Sequence, residues 1–389
     1  MNTVAVIAEY NPFHLGHVRH LNYVKETLGA KNVIVVMSGN FTQRGEPAIM
    51  DKFTRAKHAV LAGADMVVEL PTVFATANAE IFAKGAINII NSLGVVDGVC
   101  FGVESGKSAD FITLAKALND ESKEYKKALK TQLDNGVSLA KAKFEALKSL
   151  GKEFDESLIS SPNNILGVEY TKALLSVNPN IDIYPMLRTG NHNDKTLKKG
   201  ITSASSIREV LKTGKVKKLK KNLPDFVFHD LVPYPYSFDD IIMASVVKTP
   251  HEEMAEILDC TEGLENRIKA LAKDNVTIDK LTQKVATKRY TLTRINRILV
   301  SALLKIKADF VRECLASPLY AKVLAINGER KDLLSTVNEK SSIPVLSRKS
   351  DFSYLEKTAK ACFETDVLAN DLYNLATKNR QNENHMIIV

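Results

Sequence analysis

His14 and His17 flank Gly16 in the stretch NPFHLGHVRH, which directly follows the apolar run VAVIAEY. At helical spacing, i and i+3, both imidazoles project from one face of a first turn. A helix start adds free backbone N–H groups and the positive end of the dipole, so the three together suit an anion, above all a phosphate chain. Gly16 allows close backbone approach. Neither standard glycine cradle is present, since the chain has no GxxxxGK[ST] and no GxGxxG. A second kind of chemistry is carried by KRYTLTRINRIL, where Arg289, Arg294 and Arg297 lie on a helix that also has an apolar face. Arg294 and Arg297 are again i and i+3. Between Lys195 and Lys221 stand ten Lys or Arg against one acid, Glu209, with Lys217, Lys218, Lys220 and Lys221 forming the densest cluster. Cations of this kind contact phosphates and give salt-dependent affinity without sequence information.

The elements around these residues alternate. TVAVIAEY (3–10) is short and rich in β-branched residues, as expected of a strand buried on both faces. Apolar positions Val18, Leu21, Val24 and Leu28 then recur at helical spacing, with Gly29 as a C-cap. NVIVVM (32–37), DMVVEL (65–70), GVCFGVES (98–105) and IDIYPMLR (181–188) read as further strands. Helices are expected from Asp51 to about Ala62, over 78–92, and over 108–119, 122–134, 138–150 and 162–176. Strands alternating with helices predict an α/β fold with a parallel sheet, whose ligands bind outside the carboxyl ends of the strands. Past Pro224 the alternation fades into helix-like segments with one short strand-like run, YAKVLAIN (320–327). We therefore expect a catalytic domain over 1–228 and a mainly helical, basic domain over 229–389, divided near LPDFVFHDLVPYPYS.

At 389 residues the chain is long for one core, and its 45% hydrophobic and 25% charged residues are those of an ordinary globular protein. The net charge of +8 fits a polyanionic partner. Four scattered cysteines show no CxxC spacing that would argue for a bound metal. The N-terminus lacks a basic n-region, and no apolar stretch approaches a membrane span, so a cytoplasmic protein is expected, with no membrane partner. Asp65 and Glu69 read as structural, although a strand-borne acid needs a partner and the sequence names none. Glu9 could face a nucleotide or Mg²⁺.

The HxGH pair after a first strand resembles the signature of the HxGH nucleotidyltransferase superfamily. ITSASSIRE (201–209) is similar to that superfamily's ISSTxxR motif, although it reads SASSIR. AEYNPFHLGHVRHL, SGNFTQRGEPAIMDKFTRAKHAVLAGADMVVELP, SPNNILGVEYTKAL and KRYTLTRINRIL together resemble the tRNA(Met) cytidine acetate ligase family, over essentially the whole chain. The resemblance implies a Rossmann-like catalytic fold that activates acetate with ATP and Mg²⁺. The acetyl group then goes to N4 of the wobble cytidine in the anticodon loop of elongator tRNA(Met). It also implies that ATP is lined by Ile7, Ala8, Glu9, Tyr10, Asn11, Pro12, Phe13, His14, Leu15, Gly16, His17, Val18, Arg19 and His20. Gly102 joins them, where a side chain would collide with base or ribose, as do Asn163 or its neighbour Asn164, Arg188, Ser205 and Ser206. His14, His17 and Arg208 carry catalysis, Arg208 on the leaving phosphates. Lys217, Lys218, Arg289, Arg294 and Arg297 bind RNA. A small-molecule adenylyl- or cytidylyltransferase would share every N-terminal feature, and an RNA-binding protein with a vestigial nucleotide fold is a third reading.

Overall fold

The computed structural model describes residues 2–119, 122–136, 139–151, 154–188, 200–231, 237–274, 277–287, 289–379, 382–383 and 386–389. Of the basic stretch, Lys195, Lys198 and Lys199 lie outside the described residues, as do 232–236 of the expected boundary.

The strands are β1 (Thr3–Ala8), β2 (Asn32–Ser38), β3 (Met66–Leu70), β4 (Gly98–Val103), β5 (Asp182–Leu187), β6 (Ala321–Ile326), β7 (Val345–Leu346) and β8 (Ile387–Ile388). They form one sheet in the order β5-β4-β1-β2-β3-β6-β7, with β8 also on β6. The first five are parallel, β6 runs antiparallel to β3, and β7 and β8 run parallel to β6. Period-2 alternation explains why both faces are apolar. Ala5, Ile7, Ile34, Val36, Met66 and Val68 enter one core, whereas Val4, Val6, Val33, Val35 and Val67 enter the other. The helices Ala79–Ser92, Ser108–Asn119 and Pro162–Val177 contribute to the first layer; Leu15–Asn22, Lys52–Leu61 and Ala204–Lys212 cover the second.

The five expected strands are all present within one or two residues, and so is the run at 320–327. Residues 229–389 are mainly helical. A cut at 228 would nevertheless split the sheet, because β6, β7 and β8 extend it beyond β3. Two of these strands have only two residues each. Strands so short carry no periodicity, and β6 had no visible partner in sequence.

Strand order reverses between β1 and β4: the chain moves outward from β1 to β2 and β3, then returns to lay β4 on the opposite side. The carboxyl ends of β1 and β4 are therefore the place for a ligand.

Candidate active site

The chain leaves β1 through Glu9 and Tyr10, which holds a left-handed φ of 50°, and crosses a cis Asn11–Pro12 bond to the helix Leu15–Asn22. His14 is the N-cap. Its Nδ1 accepts from the Gly16 N–H at 3.0 Å, while the His14 N–H donates to Nδ1 of His17 at 3.2 Å, closing a capping box. The two rings stack with centroids 3.7 Å apart. Because both Nδ1 atoms accept, the neutral rings carry their protons on Nε2 as paired donors. Burial holds the His17 pKa well below 6.5, aided by the Arg188 charge, so this donor is neutral. Gly16 also has a role within the loop itself. A Cβ there would lie 2.8 Å from Cε1 of His14, so the glycine makes room for the histidine's own ring.

Tyr10 and Phe13 are buried beneath the pair, Tyr10 edge-on to His17 at 4.7 Å and Phe13 at 5.4 Å. Their side chains are core, and they shape the site from below. Glu9 does not turn its Oε1 to a metal, since that atom accepts from the Gln43 N–H at 2.7 Å. Asn11 accepts from the Ile49 N–H at 2.9 Å. Ile7 is buried and Ala8 partly so, at the carboxyl end of β1. Asn11 and Pro12 are buried too, whereas Leu15 and Val18 are half-buried and Arg19 is exposed on the helix.

The neighbouring edge is built on Glu104, just past β4, which sequence reasoning did not single out. Its carboxylate takes Nδ2 of Asn163 at 2.5 Å and the Asn164 N–H at 3.2 Å. Asn164 is fully buried, its Oδ1 accepting from the Glu104 N–H at 2.9 Å and its Nδ2 bonding Ser105 and Ser157. That separates the two asparagines: Asn164 builds the turn, and Asn163 stands half-buried at its edge. Arg188 closes β5 nearby. Burial lowers its pKa and Glu104 opposes that. A Cβ on Gly102 would lie 3.1 Å from Cγ of Arg188, so the space above this glycine belongs to the arginine stem. His20 contacts Sγ of Cys100 at 3.2 Å, and burial followed by the Arg188 charge pushes its pKa down to about 4.

The serine-rich segment docks on this floor. Ser203 caps the helix Ala204–Lys212 by accepting from the Ser206 N–H at 3.1 Å, and the buried Ser206 hydroxyl lies 2.9 Å from the Ser203 hydroxyl. Ser206 is thereby a packing residue, while Ser205 meets Nη2 of Arg208 at 3.2 Å. Nη1 of Arg208 donates to the Asn11 carbonyl at 2.8 Å, and the Leu15 N–H bonds the Asn222 carbonyl at 3.3 Å. Two motifs almost two hundred residues apart thus share one site. Two imidazole donors and two arginines converge there, an arrangement that fits a polyphosphate. The first-turn N–H groups expected to be free are instead taken, Leu15 by the Asn222 carbonyl, Gly16 by Nδ1 of His14 and His17 by the His14 carbonyl.

The HIGH Nucleotidyl Transferase family matches residues 1–386. A tRNA(Met) cytidine acetate ligase of Acetivibrio thermocellus is 39% identical over 97% of this chain and 96% of its own length. One of Clostridium novyi is 37% identical over the same shares. The chain belongs to the tRNA(Met) cytidine acetate ligase family. Its fold superposes on the crystal structure of Thermotoga maritima TmcAL bound with alpha-thio ATP, with a TM-score of 0.91 and 29% identity over 100% of both chains. The apo form of that protein gives a TM-score of 0.93.

Two of the expected RNA contacts are corrected by their surroundings. The helix Leu292–Leu304 turns the shared face of Arg294 and Arg297 inward, onto the turn around Asp259. Nε and Nη2 of Arg294 donate to the Asp259 carbonyl at 2.9 and 2.6 Å, and Tyr290 covers its guanidinium. The Arg297 side chain is only 13% exposed, lies 3.6 Å from Oδ2 of Asp259 and reaches the Gln43 carbonyl at 3.4 Å. Spacing located the common face without telling which way it points. Arg289 is exposed and pairs with Glu262, and Lys217 and Lys218 are exposed on the turn Val216–Leu219. Asp65 and Glu69 have the structural roles expected. Asp65 accepts from the Val33 N–H at 2.7 Å, and Glu69 binds Lys52 at 2.7 Å and Lys322 at 3.3 Å.

Proposed function

We propose that this ligase activates acetate with ATP as acetyl-adenylate and acetylates N4 of the wobble cytidine of elongator tRNA(Met), giving N4-acetylcytidine. The observation that carries it is the stacked His14–His17 pair, joined to Arg208 through the Asn11 carbonyl, at the carboxyl end of β1. An acetate oxygen attacks the α-phosphorus, the bond to the bridging oxygen breaks, and pyrophosphate leaves. His14 and His17 donate through Nε2 to the phosphates, and Arg208 and Arg188 offset the charge that builds on the departing oxygens. Fixed donors need no reorganisation as the reaction proceeds. Asn163 and the edge at Gly102 border the nucleoside side of the site. We place Mg²⁺ on the ATP phosphates, since a wall of imidazoles and guanidiniums is a poor cage for a cation.

The cytidine amine then attacks the acetyl carbon, AMP departs with the electrons of the broken C–O bond, and the amine loses a proton. A conjugated amine is a weak nucleophile, and a mixed anhydride is a reactive enough acyl donor to meet it. The exposed Lys217 and Lys218, beside the serine-rich helix, support RNA phosphates close to the nucleotide; Arg289 is a more distant candidate. The anticodon loop can splay its bases, as recognition of a single cytidine requires. We place this activity in the cytoplasm, where its RNA substrate is; among the described residues no helix is long and apolar enough to cross a membrane.

Incubation with labelled acetate, ATP and total tRNA tests the reading. Label in N4-acetylcytidine after nuclease digestion supports it. A stable, soluble nucleotidyl conjugate formed without tRNA supports the small-molecule transferase instead.

A further inference from the structure

Arg55, in the helix Lys52–Leu61, is fully buried under the nucleotide loop. Its Nη1 donates to the carbonyl of Glu9 at 2.6 Å and of Ser38 at 3.0 Å, its Nη2 to that of Gly39, and its Nε to that of Met50 at 2.9 Å. Among the described residues it makes no ion pair. Burial lowers its pKa, with Tyr373, Asp51, Glu9 and Glu69 opposing. Burying a cation against carbonyls alone is costly, and a neutral amide could serve no more than two of the four. The planar guanidinium gives what an amide cannot: one rigid fork that fixes the end of β1, the end of β2 and the entry to its own helix.

The end of β1 is where this matters. β1 and β2 part after the Ala8–Met37 pair, and the carbonyls of Glu9 and Gly39 lie just past the strand ends, where the sheet no longer supplies donors. Directly past the tethered Glu9, Tyr10 holds its left-handed φ of 50°, a conformation that persists in a non-glycine residue only when its surroundings over-determine it. Four residues later stands His14.

We propose that Arg55 is the positioning residue of the nucleotide loop, holding the Glu9 carbonyl so that His14 and His17 keep the geometry in which they meet the phosphates. The proposal rests on the function given above and adds a residue that never touches substrate. Lysine at this position keeps the charge and loses the fork.

The test is acetate-dependent exchange of labelled pyrophosphate into ATP by Arg55→Lys and Arg55→Ala, with the folded fraction measured by circular dichroism under assay conditions. In folded Arg55→Lys, kcat is expected to fall at least about tenfold, as misplaced reacting groups demand. KM for ATP is expected to stay within about threefold. Guanidinium ion at millimolar concentration is expected to restore part of the activity of Arg55→Ala and none of that of His17→Ala. Exchange that merely follows the folded fraction, or an Arg55→Ala loss that guanidinium leaves unchanged, overturns the proposal. Absence of acetate-dependent exchange in the unsubstituted protein would instead fail the functional reading itself.

Discussion

His17 is the residue on which most depends, because its neutral state and its Nε2 proton are both fixed by neighbours. Replacing it with alanine should lower acetate-dependent pyrophosphate exchange by at least about 10²-fold, as for loss of one preorganised donor. The chain should stay folded, which circular dichroism will check. His14→Ala should lose activity too, and in addition about 1 kcal/mol of stability, since this side chain caps its helix. The low pKa values of His17 and His20 make a further prediction about pH. Both lie below the value of 6.5 in the unfolded chain, so as pH falls the unfolded state takes up protons first. The stability these histidines contribute is whole above about pH 6.5 and is lost on the way down, for His20 towards about 4. Thermal melts between pH 7 and 5 should show a falling Tm, and His20→Gln should make that fall shallower. At this scale the sequence revealed the chemistry and not the support. His14, His17 and Arg208 announce themselves by type and spacing. Arg55 looks like one more cation on a helix, because its acceptors are backbone carbonyls that have no sequence signature.

Elements matter through the loops that leave the strand ends. The segment 39–47 ties Glu9, by way of the Gln43 N–H, to the helix Leu292–Leu304, and it passes that helix at Gly45. Gly45 has φ of 70°, and a Cβ there would lie 2.2 Å from the Arg297 backbone nitrogen. Gly45→Ala should therefore cost at least about 2 kcal/mol, from strain and overpacking together, with a lower Tm as the measure. The turn after β4 permits a cleaner separation. Asn164→Ala removes a buried side chain that bonds Glu104, Ser105 and Ser157, so it should lower Tm and exchange together. Asn163→Ala should leave Tm almost unchanged and raise KM for ATP. An equal loss of Tm in both variants would mean that Asn163 is structural as well. Sequence patterning was most successful at this level. Buried parallel strands and amphipathic helices declare themselves by period, so the boundaries fell close to those observed, and position just past a strand end could have pointed to Glu104.

Across the whole molecule, the sheet links parts that sequence reasoning kept separate. β6 lies beside β3, and Lys322 on β6 and the distant Glu383 both join Lys52 and Glu69 in a buried ionic cluster. Burial pushes the Lys322 pKa down to about 7, against the pull of Glu69. No local pattern could announce a pairing across hundreds of residues, and for that reason the expected division after 228 missed it. The same non-local packing turns Arg297 inward, so Arg297→Ala should lower stability, whereas Lys217→Ala with Lys218→Ala should spare it. The lysine pair should weaken tRNA binding and reduce its log–log salt slope by about two units, with pyrophosphate exchange unchanged. Affinity measured at several salt concentrations gives that slope directly. The central claim is that the His14–His17 pair and Arg208 form a site where acetate meets the α-phosphate of ATP, and exchange of labelled pyrophosphate into ATP without tRNA tests it most directly. Exchange that requires acetate and disappears in His17→Ala is the predicted result; exchange that ignores acetate, or that persists in the folded His17→Ala variant, would contradict it.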